Sequence, residues 1–314
     1  MQLNYGILST SSIAPRFIAA VRQANAGKIL ALSSRSQEKA QERAAAWDIP
    51  RAYGSHEALL SDPDVNIVYI STVNAQHYTW AKAALERGKH VVCEKPCTVS
   101  ADQTRELFAI ARERGLFLME AQKMLFLPVI LEVRRRIEAG QLGTVHMAQL
   151  NNSFEPNYNS WQFDPSAGGG TLLSAGIYGV QLMLWLFGDI TRIQGAYSAR
   201  PGEAENQFAL SGECGGVLFS IQNSTSVMLD NTARIYGSRG LVEIPEFWKA
   251  RRAIFHIAGQ APETVEYPCQ YELVYEAEHI FQCMQRGLKT SPVVTPELSV
   301  AGIEALEGLR NSLE

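Results

Sequence analysis

Apolar positions in the first third of the chain fall into short unbroken runs, with helical spacing between them. Leu3 to Leu8 reads as a buried strand. After it Ile13, Phe17 and Val21, with Ala14 and Ile18 alongside, share one helix face. Lys28 to Ser33 is the next apolar run, followed by an Ala-, Glu-, Lys- and Gln-rich helix from Gln37 to Trp47. The pattern then repeats. Val65 to Ser71 reads as a strand, Tyr78 to Arg87 a helix, His90 to Cys93 a strand, Ala101 to Arg114 a helix, and Phe117 to Met119 a strand. Strands that alternate with helices pair in parallel, because each helix returns the chain to the same sheet edge. The expectation is a doubly wound α/β domain over residues 1–121.

After Met119 the alternation stops. A helix from Pro128 to Ala139 precedes Gly143, and Val145 to Phe154 then alternates as a half-exposed strand. Strand-like runs joined by glycine turns follow, most clearly at Glu213 to Gly216 and Gly237 to Gly240. Leu273 to Arg286 and Pro296 to Leu313 read as closing helices. Residues 122–314 are therefore expected to form an α+β domain with a mostly antiparallel open sheet that binds substrate and joins subunits. An open sheet face is a common subunit interface, so a homodimer or homotetramer is expected.

Composition narrows the function. The chain has 314 residues, which favours two domains over one core. Its net charge of -4 and scattered basic residues leave no positive footprint for nucleic acid or an anionic membrane. Arg134, Arg135 and Arg136 form the densest basic run, but Glu132 and Glu138 interleave with them as on a solvated helix face. No apolar stretch is read as approaching the roughly 20 residues of a membrane span. Nor does the N-terminus show a basic region followed by an apolar signal core. Five scattered cysteines, an odd number, fit reduced thiols in a cytoplasmic setting, and no spacing suits a metal site.

In a doubly wound sheet, ligands bind beyond the carboxyl ends of the strands. The first strand ends in Ser9, Thr10, Ser11, Ser12, Ile13 and Ala14. Serines stand where the first two glycines of a dinucleotide fingerprint would be, and Ala14 where the third would be. The following helix still offers backbone N–H groups and a partial positive charge to a pyrophosphate. The second strand ends in Ser33, Ser34, Arg35 and Ser36. An acid here would hold the adenosine ribose of NAD, whereas Arg35 with the serines favours the 2′-phosphate of NADP.

Three segments carry a resemblance. They are Gly88-Lys89-His90-Val91-Val92-Cys93-Glu94-Lys95-Pro96, the stretch from Gly168-Gly169-Gly170 through Ser174 to Tyr178, and the late hairpin around Tyr236 to Gly240. In order and spacing they resemble the glucose–fructose oxidoreductase/inositol dehydrogenase (Gfo/Idh/MocA) family, whose members pair a Rossmann domain with an α+β domain. Phe117 to Pro128, with Met119, Glu120, Ala121 and Phe126, is similar to the branch holding dimeric dihydrodiol dehydrogenase and NADP-linked xylose dehydrogenase. That branch likewise carries Tyr where other members carry His.

The resemblance implies an NAD(P)-dependent oxidoreductase acting on CH–OH groups of a sugar, polyol or related small hydroxy or carbonyl compound, with NADP preferred and NAD an alternative. It places Thr72, Asn74, His77, Glu94, Lys95 and Gln122 along the cofactor, with Lys95, Lys123, Trp161, Ser174 and Tyr178 on the substrate side. Free tyrosine, with a pKa of about 10, is a poor base near neutrality, and a nearby ammonium favours its phenolate. Tyr178 is thus the candidate proton donor and acceptor, and Lys95 its electrostatic partner. Trp161 either covers the nicotinamide pocket or packs in the core. Ser174 stands where most members have Asp. Two other readings stay open: a nucleotide-binding sensor or regulator that has lost hydride transfer, and an enzyme that keeps NAD permanently bound.

Overall fold

The computed structural model describes residues 2–155 and 160–313. The chain forms two compact units, one of residues 1–122 and 271–300, the other of residues 123–270 and 301–314.

The first unit carries six parallel strands: β1 (Asn4–Leu8), β2 (Lys28–Ser33), β3 (Arg51–Tyr53), β4 (Ile67–Ile70), β5 (His90–Glu94) and β6 (Leu118–Ala121). Their order is β3-β2-β1-β4-β5-β6, and every neighbouring pair is parallel. The joining helices are α1 (Ala14–Gln23), α2 (Gln37–Ala46), α3 (His56–Leu60), α4 (His77–Glu86) and α5 (Ala101–Glu113). All four residues of β4 and all four of β6 are buried, as a sheet covered on both faces requires. Pro15 opens α1, where its missing N–H costs nothing. The Ser36 hydroxyl accepts the Lys39 N–H and caps α2. Inside, Phe17 of α1 stacks on Tyr69 of β4 with ring centroids 3.7 Å apart, a pairing worth about 1 kcal/mol beyond the area it buries.

Part of the G-K-H-V segment is architecture. The Lys89 ammonium is buried and donates to the carbonyls of Asp62 and Val65 at 2.7 Å each. His90 Nδ1 accepts the Phe117 N–H at 3.0 Å, tying the starts of β5 and β6 together.

The second unit opens with α6 (Pro128–Glu138) and β7 (Val145–Ser153). After α7 (Ile177–Phe187) come β8 (Ile190–Ala199), β9 (Glu205–Cys214), β10 (Val217–Ser224), β11 (Thr232–Gly237), β12 (Gly240–Pro245), β13 (Arg252–Ile257) and β14 (Glu263–Glu266). The sheet runs β14-β13-β12-β11-β7-β10-β9-β8 and is antiparallel except where β7 and β10 pair in parallel. Turns at 214–217 and 237–240 close hairpins at the two glycine signals. α8 (Val274–Gln285) then returns the chain to the first unit, where Arg16 of α1 pairs with Glu272 just ahead of it. α9 (Pro296–Leu313) follows.

One expectation is corrected. The segment of residues 165–187 holds an 18-residue window of mean hydropathy 1.4, which by length and composition alone could cross a membrane. It escapes a reading by uninterrupted apolar stretches because glycine, serine and threonine, at Gly168–Gly170, Thr171, Ser174 and Gly176, interrupt the apolar positions ahead of α7. Its most apolar window is 67% buried inside the protein. In α7 every residue from Ile177 to Met183 is buried. A Cβ on Gly179 would lie 2.9 Å from Ile221 of β10, so this helix lies close against the sheet. It is a core helix.

Candidate active site

In the first unit the candidate residues gather at the carboxyl ends of the strands. The strand order reverses between β1 and β4, and a crevice at such a reversal is where this architecture takes a ligand. Ser11 follows β1 and Ser71 follows β4, and the Ser11 hydroxyl donates to Ser71 Oγ at 2.8 Å across the reversal. Ser9 has φ +98°, a conformation in which a Cβ is strained and glycine is not. The backbone thus follows the path of a glycine turn although the sequence supplies serine. Thr10 and Ser11 are half-buried and Ser12 is exposed. Ile13 stands at the start of α1, and no side chain caps that helix; the Ala14 and Arg16 N–H groups donate to the Ser11 and Ile13 carbonyls and Pro15 has none, so the N–H groups of Ser12 and Ile13 just ahead of the helix are the ones left to face an anion.

At the end of β2, Ser34 is buried and its N–H donates to the Tyr53 carbonyl at 3.0 Å. Arg35 is exposed and makes no hydrogen bond or ion pair among the described residues. Close by, the Ser33 hydroxyl and His56 Nδ1 lie 2.7 Å apart, and burial pushes the His56 pKa down, with Arg35 adding to that. His56 was not singled out in the sequence, because a lone histidine opening a five-residue helix carries no pattern.

The loop after β4 holds Thr72, half-buried, and Asn74 and His77, both buried. His77 does not offer a free ring. Its Nδ1 lies 2.8 Å from the Pro96 carbonyl and its Nε2 3.2 Å from the Thr72 carbonyl, and burial holds its pKa down. At the end of β5, Glu94 accepts from the Tyr69 hydroxyl at 2.5 Å and from the Lys95 N–H at 3.3 Å. The Lys95–Pro96 peptide is cis, and Lys95 is half-buried. Gln122, just past β6, is fully buried. The first unit therefore brings together all of its predicted residues at one edge of one sheet, although both ring nitrogens of His77 face backbone carbonyls and Gln122 is fully buried.

In the second unit the triple glycine is a turn demanded by packing. Gly168 and Gly170 have φ of +70° and +107°. A Cβ on Gly170 would collide with the carboxylate of Glu205, which accepts the Leu172 N–H at 3.0 Å and so caps the start of the helical run. Burial raises the Glu205 pKa, against the pull of Arg310. Leu172–Gly176 forms a π turn, a departure from α geometry that recurs at functional sites. Ser174 lies in it and donates its hydroxyl back to the Gly170 carbonyl at 2.7 Å. Tyr178 follows in the first turn of α7 and is 9% exposed. Trp161 is 36% exposed beside a short turn capped by Ser160, so it is not a core residue of its unit. Lys123 is buried and begins a short turn ahead of α6. Among the described residues there is no cluster of three or more potential metal ligands.

Comparison with known proteins agrees with this geometry. Residues 3–122 match the "oxidoreductase family, NAD-binding Rossmann fold", and residues 130–243 match the "GFO/IDH/MocA C-terminal domain". Trans-1,2-dihydrobenzene-1,2-diol dehydrogenase of Mus musculus is 32% identical over 329 aligned residues, covering 100% of this chain and 97% of that protein. The Homo sapiens enzyme of the same name is 32% identical over 327, with the same coverage. Among solved structures, aldose-aldose oxidoreductase from Caulobacter crescentus, complexed with glycerol, superposes with TM-score 0.90 at 23% identity, covering 99% of this chain and 97% of that one. Levoglucosan dehydrogenase, in complex with NADH and levoglucosan, does so with TM-score 0.89 at 18% identity, covering 99% and 98%.

Proposed function

Because this chain belongs to the Gfo/Idh/MocA family and is an NAD(P)-dependent oxidoreductase acting on CH–OH groups, we propose that it uses NADP to oxidise or re-form a vicinal diol, sugar or polyol. The observation that carries the cofactor choice is Arg35. It is an exposed guanidinium at the end of β2, engaged in no hydrogen bond or ion pair among the described residues, in a loop that offers no acid to a ribose. The Ser12 and Ile13 N–H groups ahead of α1 suit the pyrophosphate, and the Ser9, Thr10 and Ser12 hydroxyls add donors where glycine would supply none. Bound cofactor would supply the hydride acceptor. The chain supplies the rest: Tyr178 holds or releases the hydroxyl proton at its phenolic oxygen, and the Lys95 ammonium favours the negative charge growing on the substrate oxygen.

Calorimetric titration tests the cofactor reading. Arg35→Ala is expected to weaken NADP by about 10- to 100-fold, the scale of one charge-assisted contact, and to leave NAD within about twofold. Equal losses for both cofactors would remove Arg35 from 2′-phosphate recognition. A turnover screen of trans-1,2-dihydrobenzene-1,2-diol, aldoses and polyols with NADP tests the substrate class. The relatives' names motivate the diol, and turnover of none of them would overturn the reading. The sensor reading gains no support: Lys95 and Tyr178 are both present, and dehydrogenases match the whole chain.

We also propose self-association through the open face of the eight-stranded sheet. Met147 of β7 and Leu218 of β10 sit in register on neighbouring strands and are 42% and 46% exposed. Light scattering is expected to give a dimer or tetramer, and Leu218→Asp to shift it toward monomer. A monomer at micromolar concentration in the unmodified protein would end this proposal.

A further inference from the structure

The peptide group that follows Lys95–Pro96 is gripped at both ends by buried ionisable side chains. Its carbonyl oxygen, on Pro96, lies 2.8 Å from His77 Nδ1, and its N–H, on Cys97, donates to Glu120 Oε1 at 3.0 Å. His77 opens α4 and Glu120 lies in β6, so two separate elements reach the same peptide plane. His77 is 1% exposed and Glu120 0%. A neutral imidazole has one N–H, and the shorter contact assigns it to Nδ1. The other nitrogen faces the Thr72 carbonyl on the loop after β4. On the near side of Lys95, Glu94 is fixed by the Tyr69 hydroxyl.

An apolar side chain of similar volume would spare β6 the desolvation of a carboxylate. A buried acid at this point is thus a place where local stability yields to geometry. We propose that Glu120 and His77 are positioning residues for Lys95, holding the Pro96–Cys97 peptide so that the lysine leaves the end of β5 in one fixed direction. The proposal rests on the role of Lys95 given above. Neither side chain need touch substrate or cofactor for it to hold. A misplacement of about 1 Å can cost about 10²-fold in rate, which is the scale of effect a loosened loop should show.

The test uses the full-length protein, NADP, and whichever of trans-1,2-dihydrobenzene-1,2-diol, the aldoses and the polyols the unaltered enzyme turns over fastest. Glu120→Met removes the acceptor at similar volume, and Glu120→Gln keeps one. His77→Phe removes the donor, and His77→Asn places an amide N–H near the position of Nδ1. The Met and Phe variants are expected to lose kcat by about 10²-fold while NADP affinity stays within about threefold, and the Gln and Asn variants to recover to within about fivefold of wild type. A folded Glu120→Met enzyme with ordinary kcat would overturn the proposal. So would Gln and Asn variants as damaged as their apolar counterparts, or losses in NADP affinity that match those in kcat. Should Glu120→Met fail to fold, the His77 pair decides alone. Lys95→Ala separates the two levels: if that variant keeps full turnover the role of Lys95 falls, whereas if it is inactive and the four variants are not, only the positioning falls.

Discussion

Lys95→Ala is expected to lower kcat by about 10²- to 10³-fold and to leave NADP binding within about tenfold of wild type. The reason is where the charge acts. Oxidation of an alcohol builds negative charge on the substrate oxygen as the proton leaves, and an ammonium fixed beforehand stabilises that charge without reorganisation in the transition state. In the proposed reading, ground-state cofactor binding would draw instead on the segment ahead of α1 and on Arg35, which the substitution leaves untouched. The loss corresponds to about 3–4 kcal/mol of transition-state stabilisation. Lys95→Arg is the informative companion. It keeps the charge but presents a wide planar fork to a half-buried position, so partial activity with a raised substrate KM is expected. Steady-state kinetics with NADP titration by calorimetry checks both. Unchanged turnover in Lys95→Ala would refute the assignment.

The strand–helix alternation of the first unit was legible because each run of apolar residues in β1, β2, β4 and β5 is buried on both faces and stands apart from an amphipathic helix. β3 and α3 escaped for the opposite reason. Arg51–Tyr53 is three half-buried residues and His56–Leu60 is five, too short for either period to register. The return of residues 271–300 to the first unit was not legible either, since an apolar helix face says that it packs and not on what. Alternation with glycine turns did announce the hairpins of the second unit, but not the parallel pairing of β7 with β10, which joins strands distant in sequence.

The candidate site was legible as positions and less so as roles. Strand ends pointed to Ser9 and Arg35, because ligands of a doubly wound sheet bind beyond the carboxyl ends of its strands, whereas Thr72 and Lys95 were placed by the family resemblance. Sequence alone could not tell that Lys89 and His90, inside the same motif as Lys95, serve the scaffold. Nor could it show that both nitrogens of His77 face backbone carbonyls. Glu120 entered only within the branch resemblance, though an acid among Leu118, Met119 and Ala121 is an ionisable group in a buried strand, and such residues are rarely there without a partner.

Tyr178→Phe removes one oxygen from a position that is 9% exposed, so the fold should tolerate it while the chemistry should not. The expected loss in kcat is about 10²- to 10³-fold, in the range of a positioned general acid or base. The pH profile distinguishes this from a packing defect. In the oxidation direction the phenolate is the useful form, so wild-type kcat should rise with pH through the apparent pKa of Tyr178. The phenyl ring of the variant has no such ionisation, so its residual activity should lose that limb, approaching the slope of solvent hydroxide or becoming flat. In the reduction direction the neutral phenol is the donor and the sign reverses, with wild-type kcat falling through the same pKa. A variant that loses rate but keeps the wild-type limb would show that another group moves the proton. In that case Tyr178, next to the π turn at the start of α7, would serve only to pack that helix.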